Sequence, residues 1–349
     1  MGLRCWVLVS FLAFAAAETP NLPAVLNLLD LASASQSFPA NNLQVYVSTS
    51  DWSILDSIYV SLGGQTYVTL STLVKKDSEN QTFVAPNGVS FAKADPNLVK
   101  GPIYSVIIYL VQVDNINHAL NVVTNPSSIE NGFQKFQSSN PLIILNPLVE
   151  QNQGLTLLSF TLESDSVNVQ SVRSGDAVFP LLTVTSKETE DWTNTVIYGA
   201  VFRFQGQGFV NFGKSQGLET SQKRPKNSRG LVMSPNYRIK NAQITMNVDL
   251  EETGLGKNRN PFYSLKIRYA DTNSSTLIIK GGDGSSITYT NQGAILNETV
   301  SQINSNKVTI SYTSSKPNSG FLIEYLASGS SSISAVVALL VSAVFVFLK

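Results

Sequence analysis

The sequence predicts an all-β protein made of two β-sandwich or jelly-roll-like domains in tandem. Apolar and polar residues alternate with period two over most of the chain, and no stretch sustains a helical apolar stripe for long. Asn, Gly, Pro and Ser recur between the alternating runs as turn punctuation. A length of 349 residues suits about two such domains, each with its own core.

The first segment, Met1 to Ala17, carries one positive charge at Arg4, an apolar run from Trp6 broken only by Ser10, and a small-residue exit at Ala15-Ala16-Ala17. This is the pattern of a secretory signal peptide, with cleavage expected before Glu18. Residues 18–213 are then expected to form an N-terminal β domain of no assigned family. Leu22 to Ala34 and Ser127 to Gln137 are the two places in it where a short helix is expected. Strands are expected at Leu43 to Val47, Ser57 to Leu62 and Gln65 to Leu70, the last two joined by a Gly63-Gly64 hairpin. Further strands are expected at Tyr104 to Val113, Leu142 to Leu145, Leu155 to Leu162, Val167 to Val172, Ala177 to Thr185 and Thr195 to Phe204. Their Val, Ile, Leu, Phe and Tyr side chains suit a pleated, half-buried surface.

Residues 214–229 read KSQGLETSQKRPKNSR, with Leu218 the one apolar side chain among five basic ones. Such a run adds little to a core and is expected to be an exposed linker. Lys223-Arg224 also resembles a processing site, although Pro225 follows it directly.

After the linker come Gly230-Leu231-Val232-Met233-Ser234-Pro235-Asn236-Tyr237, then the alternating strand Tyr263 to Tyr269. Thr276 to Gly284 ends in Asp-Gly, and Lys307 to Ser311 precedes Gly320-Phe321-Leu322-Ile323-Glu324-Tyr325. In this order the pieces resemble a CUB domain spanning residues 230–327. The resemblance implies a β-sandwich and a role in recognising proteins or glycans outside the cell, and a cysteine-less CUB-like domain behind a signal peptide resembles those of nematode-type surface proteins. Three positions depart from the family pattern. The usual disulfides are missing, Arg238 stands where Pro is expected, and Ser275 stands where calcium-binding members carry an acidic residue. Asp271 and Asp283 remain as acidic candidates, but calcium wants six to eight oxygens, and turn-closing is the expected role of both. Alternation predicts an inner face of Val232, Ile244, Met246, Leu265, Ile267, Leu277, Ile279, Val308, Ile310, Phe321 and Ile323.

Residues 328–349 begin with small residues and end in an apolar tail, Ile333 to Leu348, with Lys349 last. Small residues, a short polar spacer and a hydrophobic tail match a glycosylphosphatidylinositol (GPI) attachment signal, with Ser328 or Gly329 as the attachment residue. A short transmembrane tail is the alternative. The expected location is the outer leaflet of the plasma membrane, reached through a lipid anchor.

Composition narrows the chemistry. Charge is balanced at 24 basic against 24 acidic residues, so a nucleic-acid partner held by a basic surface is not expected. Loss of both terminal signals removes Arg4 and Lys349 and leaves a slight acidic excess. One Cys, at position 5 inside the signal, and one His exclude intrachain disulfides and the usual zinc cages. His118 has no Gly-x-Ser-x-Gly elbow to serve. The neighbouring carboxylates Glu163 and Asp165, or Glu251 and Glu252, are weighed as a glycosidase pair and read as solvated turn residues. No catalytic residue, cofactor or metal is therefore expected. Asn80, Asn273 and Asn297 open N-glycosylation sequons. Trp52 and Trp192, each beside an acidic residue, are the candidate ligand contacts, since an exposed aromatic ring stacks on sugars and anchors protein partners; capping a sandwich core is the other role open to them. The expected function is an extracellular binding glycoprotein whose ligand is a protein or a glycan. A coat or matrix protein that self-associates through its β domains is the rival.

Overall fold

The computed structural model describes residues 22–28, 31, 36–74, 81–93, 105–113, 120–125, 133–151, 153–173, 178–214, 221–225, 228–235, 237, 244–253, 261–316 and 320–328. The expected signal peptide, Asn80, His118 and Gly329 lie outside them. The fold is all-β, and its strands form six sheets that pack as three sandwiches.

The first sandwich holds β1 (Ala24–Leu26), β2 (Gln36–Phe38), β3 (Leu43–Thr49), β4 (Ile58–Leu62), β5 (Val68–Thr69), β6 (Thr82–Ala85), β7 (Val89–Lys93) and β8 (Val106–Gln112). One sheet has the order β1-β8-β3-β6 and the other β2-β7-β4-β5. Val45, Val47 and Ile108 of the first meet Phe38, Val60 and Phe91 of the second in one core. The expected hairpin is present, with Gly63 and Gly64 both at positive φ (57° and 79°), the geometry a two-residue turn of this kind requires. The run 65–70 shrinks to the two residues of β5, because Leu70–Leu73 turns into a single helical turn, α1.

The second sandwich holds β9 (Val122–Val123), β10 (Phe133–Phe136), β11 (Leu142–Leu145), β12 (Leu155–Leu162), β13 (Ser166–Val172), β14 (Val178–Thr185), β15 (Thr195–Ile197), β16 (Val201–Gln205) and β17 (Gly208–Lys214). Its sheets run β14-β13-β16-β11-β9 and β10-β17-β12-β15. Phe202 and Phe204 of one sheet and Leu157 and Phe212 of the other are fully or almost fully buried between them.

The third sandwich holds β18 (Ser221–Pro225), β19 (Arg229–Met233), β20 (Thr245–Thr253), β21 (Phe262–Asp271), β22 (Ser275–Gly281), β23 (Ser286–Thr290), β24 (Ala294–Ile303), β25 (Lys307–Ser314) and β26 (Phe321–Ser328). Its sheets run β18-β20-β25-β22-β23 and β19-β26-β21-β24. All eleven residues expected on the inner faces lie in one buried cluster.

Four expectations need correction. Residues 18–213 do not make one domain but two sandwiches; alternation marks which side chains face inward and leaves open which sheet they meet. Where described, Leu22 to Ala34 holds strand β1 rather than a helix. Ala24 and Leu26 enter the first core while Val25 faces the second sandwich, so a strand covered on both sides has a continuous apolar run like that of a helix. Where described, Ser127 to Gln137 likewise holds a strand, β10, paired with β17. Thr195 to Phe204 splits into β15 and β16, which belong to opposite sheets, and the chain crosses between them at Tyr198-Gly199-Ala200.

The supposed linker is also structured where it is described. Ser221–Pro225 pairs in parallel with β20, bringing Lys223 opposite Glu251 and Arg224 opposite Glu252. Arg224 is 3% exposed, so the segment is an integral edge strand.

Successive sandwiches share apolar contact. Tyr46, Ile107 and Tyr109 on the outer face of the first meet Ile143, Leu145 and Val201 on the second. The Tyr46 hydroxyl accepts a hydrogen bond from the Leu120 amide at 3.2 Å, and burial pushes its pKa up to about 12. Leu231, Met233, Tyr237, Tyr269 and Leu322 of the third sandwich join the core cluster of the second.

Candidate interaction surface

The outer face of the β19-β26-β21-β24 sheet is used in two ways. One end docks on the second sandwich. There the Ser234–Tyr237 turn closes through a Tyr237 amide to Ser234 carbonyl bond, and the Ser234 hydroxyl accepts from the Phe321 amide at 2.9 Å. Tyr237 lies in the junction, edge-to-face with Tyr269 at 5.7 Å.

Four arginines cross this junction among the described residues. Arg173 donates to the Tyr237 carbonyl and Arg268 to those of Leu181 and Pro180. Arg224 donates to the carbonyls of Thr193 and Asn194 at 2.9 and 3.1 Å. Arg229 pairs with Glu188 at 2.7 Å. Guanidinium groups suit this role because they offer several donors in a fixed fork.

The other end of the face is open. Arg229, Ser264, Lys266, Thr299, Glu324 and Leu326 line a groove of about 150 Å³. Lys266 lies opposite Glu324 on one neighbour and opposite Thr299 on the other, so a cation, an anion and two hydroxyls sit in adjacent rows over the aliphatic Leu326. This mixture offers donors and acceptors to a polar ligand and no nucleophile paired with a base.

Behind the sheet lies a buried polar cluster. Glu252 is 3% exposed, no hydrogen bond reaches either carboxylate oxygen, and burial raises its pKa. The Tyr263 hydroxyl is likewise buried without a partner, and its pKa is raised first by burial and then by Tyr325 and Glu252. The Arg224 guanidinium stands over the Tyr325 ring at 5.8 Å.

The carboxylate pairs do not assemble. Glu251 and Glu252, being adjacent on a strand, point to opposite faces of the sheet. Glu163 and Asp165 are exposed in the β12–β13 turn, where Glu163 accepts from the Gln207 side-chain amide. Asp271 and Asp283 stand at opposite ends of β22, each closing its own turn by accepting an amide two residues on. Hydrogen bonds from the Ser285 hydroxyl and amide hold Asp283 below the usual carboxylate range. Among the described residues no group of His, Cys, Asp and Glu comes together with metal-ligand spacing.

Trp192 cannot contact a ligand: it is 3% exposed and belongs to the second core. Its acidic neighbours sit in a turn, and that local polarity conceals the inward direction of the ring. Trp52 opens a short 3-10 helix capped by Asp51 and lies half-buried against the first core. Asn273 and Asn297 are both exposed. Ser328 ends β26 opposite Phe262, and the preceding Ala327 is buried. No helix among the described residues is long and apolar enough to cross a membrane. The groove is not legible in the sequence, since its lining comes from four strands that register alone brings side by side.

No protein-family description and no curated protein matches the chain. Among solved structures it is similar to CUB domains. The human MASP-1/3 CUB1-EGF-CUB2 region is 10% identical, with 89% of this chain and 97% of that one covered and a TM-score of 0.25. The rat MASP-1 region is 12% identical over 88% and 95%, with a TM-score of 0.23. The calcium-bound MASP-1 CUB2 domain is 20% identical over 32% of this chain and 98% of that one, with a TM-score of 0.22. The likeness at these scores is loose, and the all-β architecture rests on the strand ladders described above.

Proposed function

We propose that this is a non-enzymatic cell-surface glycoprotein that recognises an extracellular protein or glycan, with a CUB-like third sandwich and a GPI anchor at Ser328 or Gly329. The observation that carries the reading is the open groove on the outer face of the third sandwich, with its paired charges, hydroxyls and aliphatic floor. The Gly230–Tyr325 motif order, the signal-peptide pattern and the sequons support the same reading. Phosphatidylinositol-specific phospholipase C treatment of intact cells displaying the tagged protein tests the anchor. Release into the medium is the expected result; retention on the membrane replaces the anchor with a short transmembrane tail.

The rival, a coat protein that self-associates through sheet edges, draws on one observation. Strand β24 is a ten-residue edge with Leu296 60% exposed. Light scattering against concentration separates the two readings: a receptor keeps its monomer mass and a coat protein grows.

A further inference from the structure

Most edge strands in the described residues are short or covered. Seven of the sheet ends carry strands of two to four residues, and β18, β19 and β23 have five each. The eight-residue β14 has the Pro180 and Leu181 carbonyls occupied by Arg268. The exception is β24, ten residues at the end of the β19-β26-β21-β24 sheet. A long edge strand presents a row of backbone donors and acceptors to any second strand, and proteins usually blunt it with Lys or Pro or by covering it. Here the sequence 294–303 contains neither residue. Its one acidic side chain, Glu298, accepts from the Tyr289 hydroxyl at 2.6 Å. Four successive residues, Leu296 to Thr299, are exposed.

The middle of that exposed run is the sequon Asn297-Glu298-Thr299. Asn297 adopts a left-handed φ of 53°, and Thr299 lines the groove. We infer that an N-linked glycan on Asn297 caps the free edge of β24 and keeps the protein monomeric. The inference rests on the export reading above. In the transfer, the Asn297 side-chain nitrogen bonds to the anomeric carbon of a polyprenyl-diphosphate-linked oligosaccharide. The carbon–oxygen bond to the diphosphate breaks, the polyprenyl diphosphate leaves, and one amide proton is lost. The attached sugars stand where a second strand would pair, and Leu296 offers an apolar surface beside the first ring.

The test uses the full chain exported by a eukaryotic host and freed from the cell surface with phosphatidylinositol-specific phospholipase C, followed by glycopeptide mass spectrometry and light scattering over a concentration series. Wild type and Asn273→Gln should remain monomeric. Asn297→Gln and Thr299→Ala should rise toward twice the monomer mass, and adding Leu296→Lys to Asn297→Gln should return the monomer. Enzymatic removal of glycans from folded wild-type protein gives the same readout without a variant and should also raise the mass. Glycan at Asn297 with unchanged mass after its enzymatic removal overturns the inference. So does modification of Asn273 with Asn297 left bare. Protein at the cell surface without glycan on either sequon overturns it too, whereas failure to reach the surface brings down the export reading along with it.

Discussion

Gly230 and Tyr325 face each other across the β19–β26 ladder, and a Cβ on Gly230 would overlap the Tyr325 hydroxyl and the ring carbon that bears it. Both belong to the pattern that resembles a CUB domain, one at its opening and one at its end, so the pairing gives that spacing a physical reason: an aromatic ring covers a glycine in the adjacent strand. Gly230→Ala should cost about 1–3 kcal/mol by overpacking and lower the midpoint of thermal unfolding. Glu252 offers a second test. Its pKa is raised in the folded protein, so its contribution to stability is complete below the ordinary glutamate value and is lost as pH rises through the folded one. Wild type and Glu252→Gln should therefore melt together near pH 4, with the variant gaining on wild type as pH increases. Asp249 works in the other direction. Hydrogen bonds from Thr309 and Lys307 lower its pKa, so its smaller contribution is present at neutral pH and fades as pH falls. The inner-face residues of the third sandwich were legible because period-two alternation encodes burial directly. The direction of Trp192 was not, since a polar turn around an aromatic ring is common to surface and core.

Strand β18 shows where composition misleads. Five basic residues and one apolar one in 214–229 describe a solvated segment, yet parallel pairing sets Lys223 and Arg224 against Glu251 and Glu252, and the carbonyls of Thr193 and Asn194 take the Arg224 guanidinium. The cross-strand charge match exists in the sequence as Lys-Arg and Glu-Glu, but 26 residues separate the two pairs, and only the register joins them. Arg224→Ala should cost about 1.5–3 kcal/mol for each charge-assisted bond to the Thr193 and Asn194 carbonyls that is not replaced. Amide hydrogen exchange should show the loss locally, as faster exchange in β18 and in the 192–195 turn. Strands covered on both faces were the other illegible elements, because a run such as that of β1 carries no period to read.

Three sandwiches joined through shared apolar clusters form a body whose parts do not depend on cysteine. The single Cys lies at position 5, so no disulfide closes any loop, and thermal unfolding should be unchanged by dithiothreitol. The junction of the second and third sandwiches should also resist salt. Three of its four arginines donate to neutral carbonyls, which ions screen little, and the half-buried Arg229–Glu188 pair is the one ion pair among these four contacts. Small-angle scattering should give the same radius of gyration from 0.15 to 1 M salt, within the roughly 8 to 3 Å change in screening length. The all-β class was readable from alternation and punctuation; the number of sandwiches was not, because the residues that seal one sandwich to the next are as apolar as those within each core.

The last strand carries a mechanical consequence. Ser328 ends β26, which lies inside its sheet with antiparallel ladders to β19 on one side and β21 on the other. Tension applied at that end runs along the strand and across hydrogen bonds that stand perpendicular to it. The bonds of both ladders are then loaded together in shear rather than opened one at a time, so the anchor proposed at Ser328 would pull on the third sandwich against two ladders at once.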